Sequence, residues 1–237
     1  MKLKVGAPSY INALPLIHGS EQIEADIHWV LDHPTTINQL LYENKVDMAL
    51  VSATHYLANR ARYRIASNFC IGSTHEVMSV CLFLNKPIQE VKKISIPKAT
   101  HASKTLLKLL CHHHWKIHPE FVNDDADAYL LIGDECLLQI KSVSQHKAHI
   151  DLATVWFEMT GYPFVFALFA APKESTYSFS LPIVQIPAAI DIAINKLKLP
   201  RETIEKYFSV LSYSLSQEHY KSLELFATFL ERYDIAL

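Results

Sequence analysis

The sequence predicts an α/β protein folded as two lobes with a ligand cleft between them. Strand–helix–strand patterns near the start and the middle of the chain imply parallel pairing, because a short-linked βαβ unit lays its strands side by side in one direction. Two long apolar runs, near residues 79–85 and 164–171, join the halves, and the helical last third has to return to one of them. A chain that crosses out and back in this way divides into residues 1–80 with 172–237 as one lobe and 81–171, with both crossing strands, as the other.

Taken in order, "KLKVGA" reads as a strand that runs into the loop "PSYINALPL", residues 8–16. The chain has only five glycines, so a loop carrying serine, tyrosine, asparagine and proline is stiff rather than free. "DIHWVL", Asp26 to Leu31, is a second strand that ends at Pro34. "TTINQLLYENK" places Ile37, Leu40 and Leu41 at helical spacing, with Thr35 or Thr36 as the natural N-cap. "VDMALVS", Val46 to Ser52, closes the first βαβ unit. "VMSVCLFLNK", Val77 to Lys86, is predicted as a strand closed by Pro87, and "KKISIPK" as a short one. The helix "THASKTLLKLLCHHHW" then repeats Leu106, Leu109 and Leu110 at three and four residues. "AYLLIGDECLL", Ala128 to Leu138, reads as a strand broken at Gly133 and Asp134, and "FVFALFAAP" as a long apolar strand. Leu223, Phe226 and Leu230 line one face of the last helix.

Half of the 237 residues are hydrophobic and 19% are charged, which excludes a disordered chain and allows a large core. The balance of 24 acids against 22 bases, with no basic run, leaves no electrostatic footprint for nucleic acid. The start "MKLKVGAPSY" lacks a signal-peptide pattern, and the longest apolar run, Phe164 to Ala171, is too short to span a bilayer. Cys70, Cys81, Cys111 and Cys136 have no zinc-type spacing. A cytoplasmic, reduced protein with a small-molecule partner and no membrane insertion is the expectation.

Phosphate-cradling and nucleophile-elbow motifs are absent. "HEVMS" at His75 begins like a zinc helix but has Ser79 where the second histidine belongs. In "CHHHW", His112 to His114, consecutive helical side chains point about 100° apart and do not close on one ion. No metal is expected. What remains is a set of small polar groups at strand ends and helix starts: Ser9 and Asn12 after the first strand, Ser73, Thr74 and Ser79 around the first crossing, Thr100 and Ser103 at a helix start. Such groups cap helices and form turns, but recurring at the same topological place in both halves they suit a carboxylate ligand beyond the carboxyl ends of the strands.

"SYINALPLIHG" resembles the Ser-Tyr-Leu-Asn-x-x-Pro-Leu signature of the menaquinone-biosynthesis proteins of the futalosine route, specifically chorismate dehydratase. The resemblance continues through "VDMALVSATHYL", "VMSVCLFLNKPI", "SKTLLKLL", "YLLIGDECLL", "DLATVWFEMTGYPFVFALFAA" and "LSYSLSQEHYKSLELF", nearly the whole chain. It implies a fold like the type II periplasmic-binding proteins, used as a cytosolic lyase. The implied reaction is loss of water from chorismate, giving 3-[(1-carboxyvinyl)oxy]benzoate, with no cofactor. By the same carry-over Asn12 and Ser79 are the expected catalytic residues. Ser9, Tyr10, Ser73, Thr74, Thr100, His101 and Ser103 are expected around the substrate, and Asp134 is either a structural anchor or a cleft residue. The substrate's own enolpyruvyl carboxylate has been considered as the base in this family, which fits the lack of an obvious protein base.

This chain departs from the family pattern in two places. Met78 and His101 stand where relatives carry arginine, and Ala102 where they carry threonine, so a dianion is expected to meet two fewer cations. The competing readings are a non-catalytic or altered-ligand small-carboxylate binding protein of the same fold, the naphthoate-forming sister enzyme, whose opening loop "PSYINALPL" does not match, and a DNA-linked ligand sensor, for which no helix-turn-helix segment is present. The sequence leaves the oligomeric state open.

Overall fold

The structure, a computed structural model, describes residues 3–19, 27–96, 101–142, 148–178 and 184–235. Strand β1 (Leu3–Pro8) leads through a single 3-10 turn into helix α1 (Leu14–Gly19). Then come β2 (Ile27–Asp32), α2 (Pro34–Tyr42), β3 (Met48–Ser52), α3 (Ala53–Ala58) and β4 (Tyr63–Ser73). The central part carries β5 (Val80–Leu84), β6 (Lys93–Ser95), α4 (His101–Leu109), β7 (Glu120–Val122), β8 (Ala128–Ile132), α5 (Gly133–Ser142), β9 (His149–Asp151) and α6 (Leu152–Thr160). It closes with β10 (Phe164–Pro172), α7 (Ile186–Leu197), α8 (Arg201–Val210), β11 (Ser212–Ser214) and α9 (Gln217–Arg232).

Two sheets result. The first has six strands in the order β11-β4-β10-β3-β1-β2, and the second has five in the order β7-β6-β8-β5-β9. In the first sheet β1 pairs parallel with β2 and β3, while β10 inserts antiparallel between β3 and β4. In the second, β6 pairs parallel with β7 and β8, and β5 antiparallel with β8 and β9. The chain passes between the sheets at residues 74–79 and again through α6. Strand β10 is therefore a member of the first sheet, although the sequence groups residues 164–171 with the second lobe. Both of its faces are covered, and a run apolar on both faces does not reveal which sheet it joins.

Other local differences have physical causes. Helix α2 starts at Pro34, with His33 at the N-cap and no side-chain cap, because proline favours the first helical position. Thr35 thus stays inside the helix rather than capping it. The strand predicted to run through to Leu138 ends at Ile132: Gly133 turns the chain at φ +59° and α5 follows. An added Cβ on Gly133 would lie 3.0 Å from the Tyr10 ring, so the same glycine admits that ring. The predicted strand from Val77 starts only at Val80, because Met78 takes a left-handed φ of +58°. Strand β4 was not legible, since Arg64, Ser67 and Asn68 interrupt its apolar pattern. After α4 the helix widens to π geometry over Leu110–Trp115 and ends at left-handed Lys116.

A continuous core joins the layers. Trp156 of α6 is fully buried, with its ring edge-on to Phe164, Phe226 and Phe229, and its Nε1 donates to Ser222 Oγ at 3.0 Å. Helix α9 thereby packs on β10, and Leu223, Phe226 and Leu230 are buried as their spacing predicts. Near its start the buried His219 accepts from Ser216 N through Nδ1 at 3.2 Å, while its Nε2 has no partner. Burial pushes the pKa of His219 down, against a small opposing pull from Glu218. A lowered histidine contributes stability that is present above its unfolded pKa, about 6.5, and is lost as the pH falls toward the folded value. Urea midpoints should therefore fall from pH 7.5 to pH 5.5 less steeply in His219→Gln than in the wild type; equal slopes would remove His219 from the account.

Candidate functional site

The carboxyl ends of β1, β2, β3 and β4 lie at one edge of the first sheet, and β8 ends beside the start of β5 in the second. Between them is a cavity of about 710 Å³, part of it open to solvent. Its walls come from both sheets. Tyr10, Asn12, Thr35, Asn38 and Ser52 stand on the first side, Ser79, Ser103 and Gly133 on the second, and Phe166 and Ala167 form part of the apolar lining. The starts of α2, α4 and α5 open onto it. The positive ends of their dipoles face the cavity. Among the described lining residues there is no carboxylate, imidazole, amine or guanidinium group.

Asn12 and Ser79 are brought together through a third residue. The hydroxyl of Tyr207, on α8 and 1% exposed, donates to Ser79 Oγ at 3.0 Å. The Asn12 amide lies beside the same hydroxyl, and its Oδ1 is buried with no partner in the protein. Burial holds the Tyr207 phenol well above its ordinary pKa, with Ser79 and Asn12 opposing, so it stays protonated. Ser79 follows Met78, and this tight turn is clamped from below. Asp151 Oδ2 accepts from Val77 N at 2.9 Å and Met78 N at 2.8 Å, while its Oδ1 caps α6 through Ala153 N at 3.0 Å and Thr154 N at 3.3 Å. Desolvation raises the Asp151 pKa, and those backbone bonds oppose it. They also hold the left-handed Met78, whose backbone otherwise costs roughly 1–2 kcal/mol.

Tyr10 lines the cavity, with its hydroxyl 3.3 Å from His33 Nε2 and its ring edge-on to that imidazole. Burial, and then the charges of Asp134 and Glu135, raise its pKa. Ser103 lines the opposite side. The remaining candidates sit elsewhere. Ser9 is exposed and contributes its backbone, with N donating to Asp32 O at 2.9 Å and O accepting from Lys196. Ser73 is buried outside the cavity lining, its hydroxyl close to the carbonyls of Glu76 (2.6 Å) and Val210 (3.1 Å). Thr74 is exposed. Asp134 anchors rather than lines: Oδ1 accepts from Ile11 N at 3.0 Å and Oδ2 pairs with Lys196 at 2.8 Å, fixing the Asn12 turn to α5. Thr100 and the side chain of His101 lie outside the described residues. Met78 turns away from the cavity into a separate hollow with Leu137, Ile140 and Lys206. An arginine in its place would not line the cavity from this backbone, so that departure takes no cation from the wall.

Sequence reasoning missed Thr35, Asn38, Ser52, Asp151 and Tyr207. Asn38 and Ser52 form a reciprocal pair, Asn38 Nδ2 donating to Ser52 Oγ and Ser52 N to Asn38 Oδ1, both at 3.3 Å. Ser52 ends a strand and caps α3, the rule that singled out Asn12, and Asp151 stands before "LATVWF" as a readable N-cap. Nothing local marks Tyr207, whose partner is 128 residues away. Of the histidine run, His112 and His113 pack against the Tyr233 ring, and among the described residues no three potential ligands share a metal-sized site.

A family model described as menaquinone biosynthesis matches residues 3–232. Chorismate dehydratase from Thermus thermophilus is 27% identical over 195 residues, covering 72% of this chain and 70% of that protein. Among solved structures, protein AF1704 from Archaeoglobus fulgidus superposes with a TM-score of 0.74 at 20% identity over 98% of both chains. The periplasmic aliphatic sulphonate binding protein SsuA from Escherichia coli superposes at 0.67 and 12% identity, covering 99% of this chain and 88% of that one. The fold is therefore that of the periplasmic-binding proteins, and among the described residues no helix is long and apolar enough to cross a membrane.

Proposed function

The chain belongs to the menaquinone-biosynthesis family that matches its residues 3–232, and on that premise we propose that it is a carbon–oxygen lyase that removes water from chorismate, giving 3-[(1-carboxyvinyl)oxy]benzoate. The observation that carries this reading is the pairing, on one wall of a mostly apolar cavity, of the unpartnered Asn12 Oδ1 with the Ser79 hydroxyl. Dehydration requires that the C3 proton and the C4 hydroxyl leave. The C3–H electrons become the new ring double bond as the C4–O bond breaks, and aromaticity supplies the drive. Little is asked of the protein beyond orientation and stabilisation of the departing oxygen. Asn12 Oδ1 accepts from the C4 hydroxyl and fixes its direction, while Ser79 donates to the same oxygen as negative charge gathers on it. The helix starts and Ser103 face the two carboxylates. With no titratable base among the described lining residues except the protonated phenol of Tyr10, the enolpyruvyl carboxylate of the substrate takes the C3 proton and returns it to the hydroxide, completing water. We place this activity in the cytoplasm and without a cofactor.

The purified protein, incubated with chorismate and no added metal, is expected to form 3-[(1-carboxyvinyl)oxy]benzoate, followed by liquid chromatography and mass spectrometry. If chorismate raises the melting temperature but no product forms, the protein is a carboxylate binder on the same fold and the lyase reading falls.

A further inference from the structure

We infer that Tyr207 is a positioning residue, one that fixes Ser79 as the hydrogen-bond donor and leaves Asn12 Oδ1 as the acceptor on the cavity wall. The inference deepens the dehydration reading and rests on it for its kinetic arm. A phenol has one proton, and that of Tyr207 is committed to Ser79 Oγ at 3.0 Å in a buried setting. With that lone pair occupied, the Ser79 proton has to point elsewhere, and Ser79 lines the cavity. The phenol oxygen still accepts, and the neighbouring Asn12 amide can meet it only through its nitrogen, because an amide oxygen has no proton to give. The amide oxygen is thereby left over, which is how it stands: buried and without a partner, on a residue that lines the cavity. Polarity runs one way, from Asn12 nitrogen to Tyr207 to Ser79 to ligand.

This polarity selects a chemical class. The ligand atom that meets both groups must give one hydrogen bond to Asn12 and take one from Ser79. A ring alcohol does both, whereas a carboxylate, an ether or a carbonyl only accepts and would leave the Asn12 oxygen facing another acceptor. The wall is thus complementary to the hydroxyl that leaves, and the aromatic product, which lacks it, loses that contact.

Tyr207→Phe keeps the ring and removes the proton. Without it the Ser79 hydroxyl rotates freely between donor and acceptor roles. The expected result is a fall in kcat of roughly 10- to 100-fold, with the dissociation constant of 3-[(1-carboxyvinyl)oxy]benzoate changed by no more than about twofold. An unchanged kcat, or a loss of product affinity as large as the loss of kcat, would overturn the positioning role. A readout independent of turnover is the double-mutant cycle of Tyr207→Phe with Ser79→Ala in urea unfolding of the free protein. The two losses should overlap, placing the double variant close to the weaker single one, and strictly additive losses would show no bond to position. If the wild type leaves chorismate untouched, the dehydration reading falls on its own and the cycle still decides whether Tyr207 holds Ser79. Should the Phe variant fail to fold, wild-type protein carries the test by nuclear magnetic resonance. The Tyr207 hydroxyl proton should exchange slowly and show a cross-peak to the Ser79 β-protons, and a contact to other groups in its place overturns the inference.

Discussion

Asn12→Ala is expected to lose roughly 100- to 1,000-fold in the rate of chorismate dehydration while losing no more than about 1 kcal/mol of stability, the ordinary worth of the one hydrogen bond its amide nitrogen gives Tyr207. The two halves of this result come from the two ends of one amide. Asn12 Oδ1 is buried and bonded to nothing in the protein, so losing it removes a desolvated acceptor that gives the fold nothing in return, and only the nitrogen's bond to Tyr207 is given up. Side-chain deletions in well-packed regions usually destabilise by more than this, and a residue removed at so small a cost keeps its oxygen for a partner outside the chain. For the reaction, the same deletion releases the hydroxyl that has to leave. Steady-state turnover and a urea titration on one preparation decide the matter. Wild-type turnover would remove Asn12 from the chemistry, whereas a large loss of stability would make it a structural residue.

Asp151→Ala should lose on the order of 3–5 kcal/mol of stability and most activity with it. The carboxylate accepts four backbone N–H bonds, from Val77, Met78, Ala153 and Thr154. Cutting them strands two donors in the turn before Ser79 and uncaps α6. Hydrogen bonds to an ionised acceptor contribute about 1.5–3 kcal/mol each, less what desolvation of the acid takes back. Met78 loses its clamp at the same time and is free to leave its left-handed conformation, which carries Ser79 off the wall. Asp151→Asn keeps one acceptor oxygen and should fall between the two. Urea unfolding at pH 7 reads the stability, and the outcome that sinks this account is an Ala variant within about 1 kcal/mol of the wild type.

Much of the scaffold was legible because it obeys periodicity. The apolar face of α9, the βαβ opening and the apolar run of β10 follow from spacing alone, since a 3.6-residue or continuous pattern admits few alternatives. Asn12, Ser79 and Ser103, which line the cavity, were legible because they stand at strand ends and helix starts, and those places converge in an open α/β sheet; Tyr10 entered only through the family resemblance. The limits are equally physical. Ser73 obeys the same rule, yet its hydroxyl is taken up by the carbonyls of Glu76 and Val210, and no local pattern tells a hydroxyl that serves the backbone from one that serves a ligand. Asp134 carries the ambiguity its sequence context gave it until Lys196 and the Ile11 amide resolve it. Strand β4 hides behind polar residues, and the sheet membership of β10 depends on pairing that sequence spacing does not encode. Tyr207 belongs to the contacts that only the closed fold creates.

A cavity whose described lining holds no charged side chain has a consequence for its response to ionic strength. Dissolved salt screens exposed charges beyond about 8 Å under physiological conditions, but it does not enter a wall built of helix starts and buried hydroxyls. An anion held there is held by fixed dipoles, so its residence should change little between dilute buffer and high salt. Its approach is different, because the whole molecule carries a formal charge of −2 and offers a dianion no long-range attraction. Added salt therefore weakens a mild repulsion on the way in and leaves the grip intact, the reverse of the pattern shown by sites that bind anions through arginine or lysine.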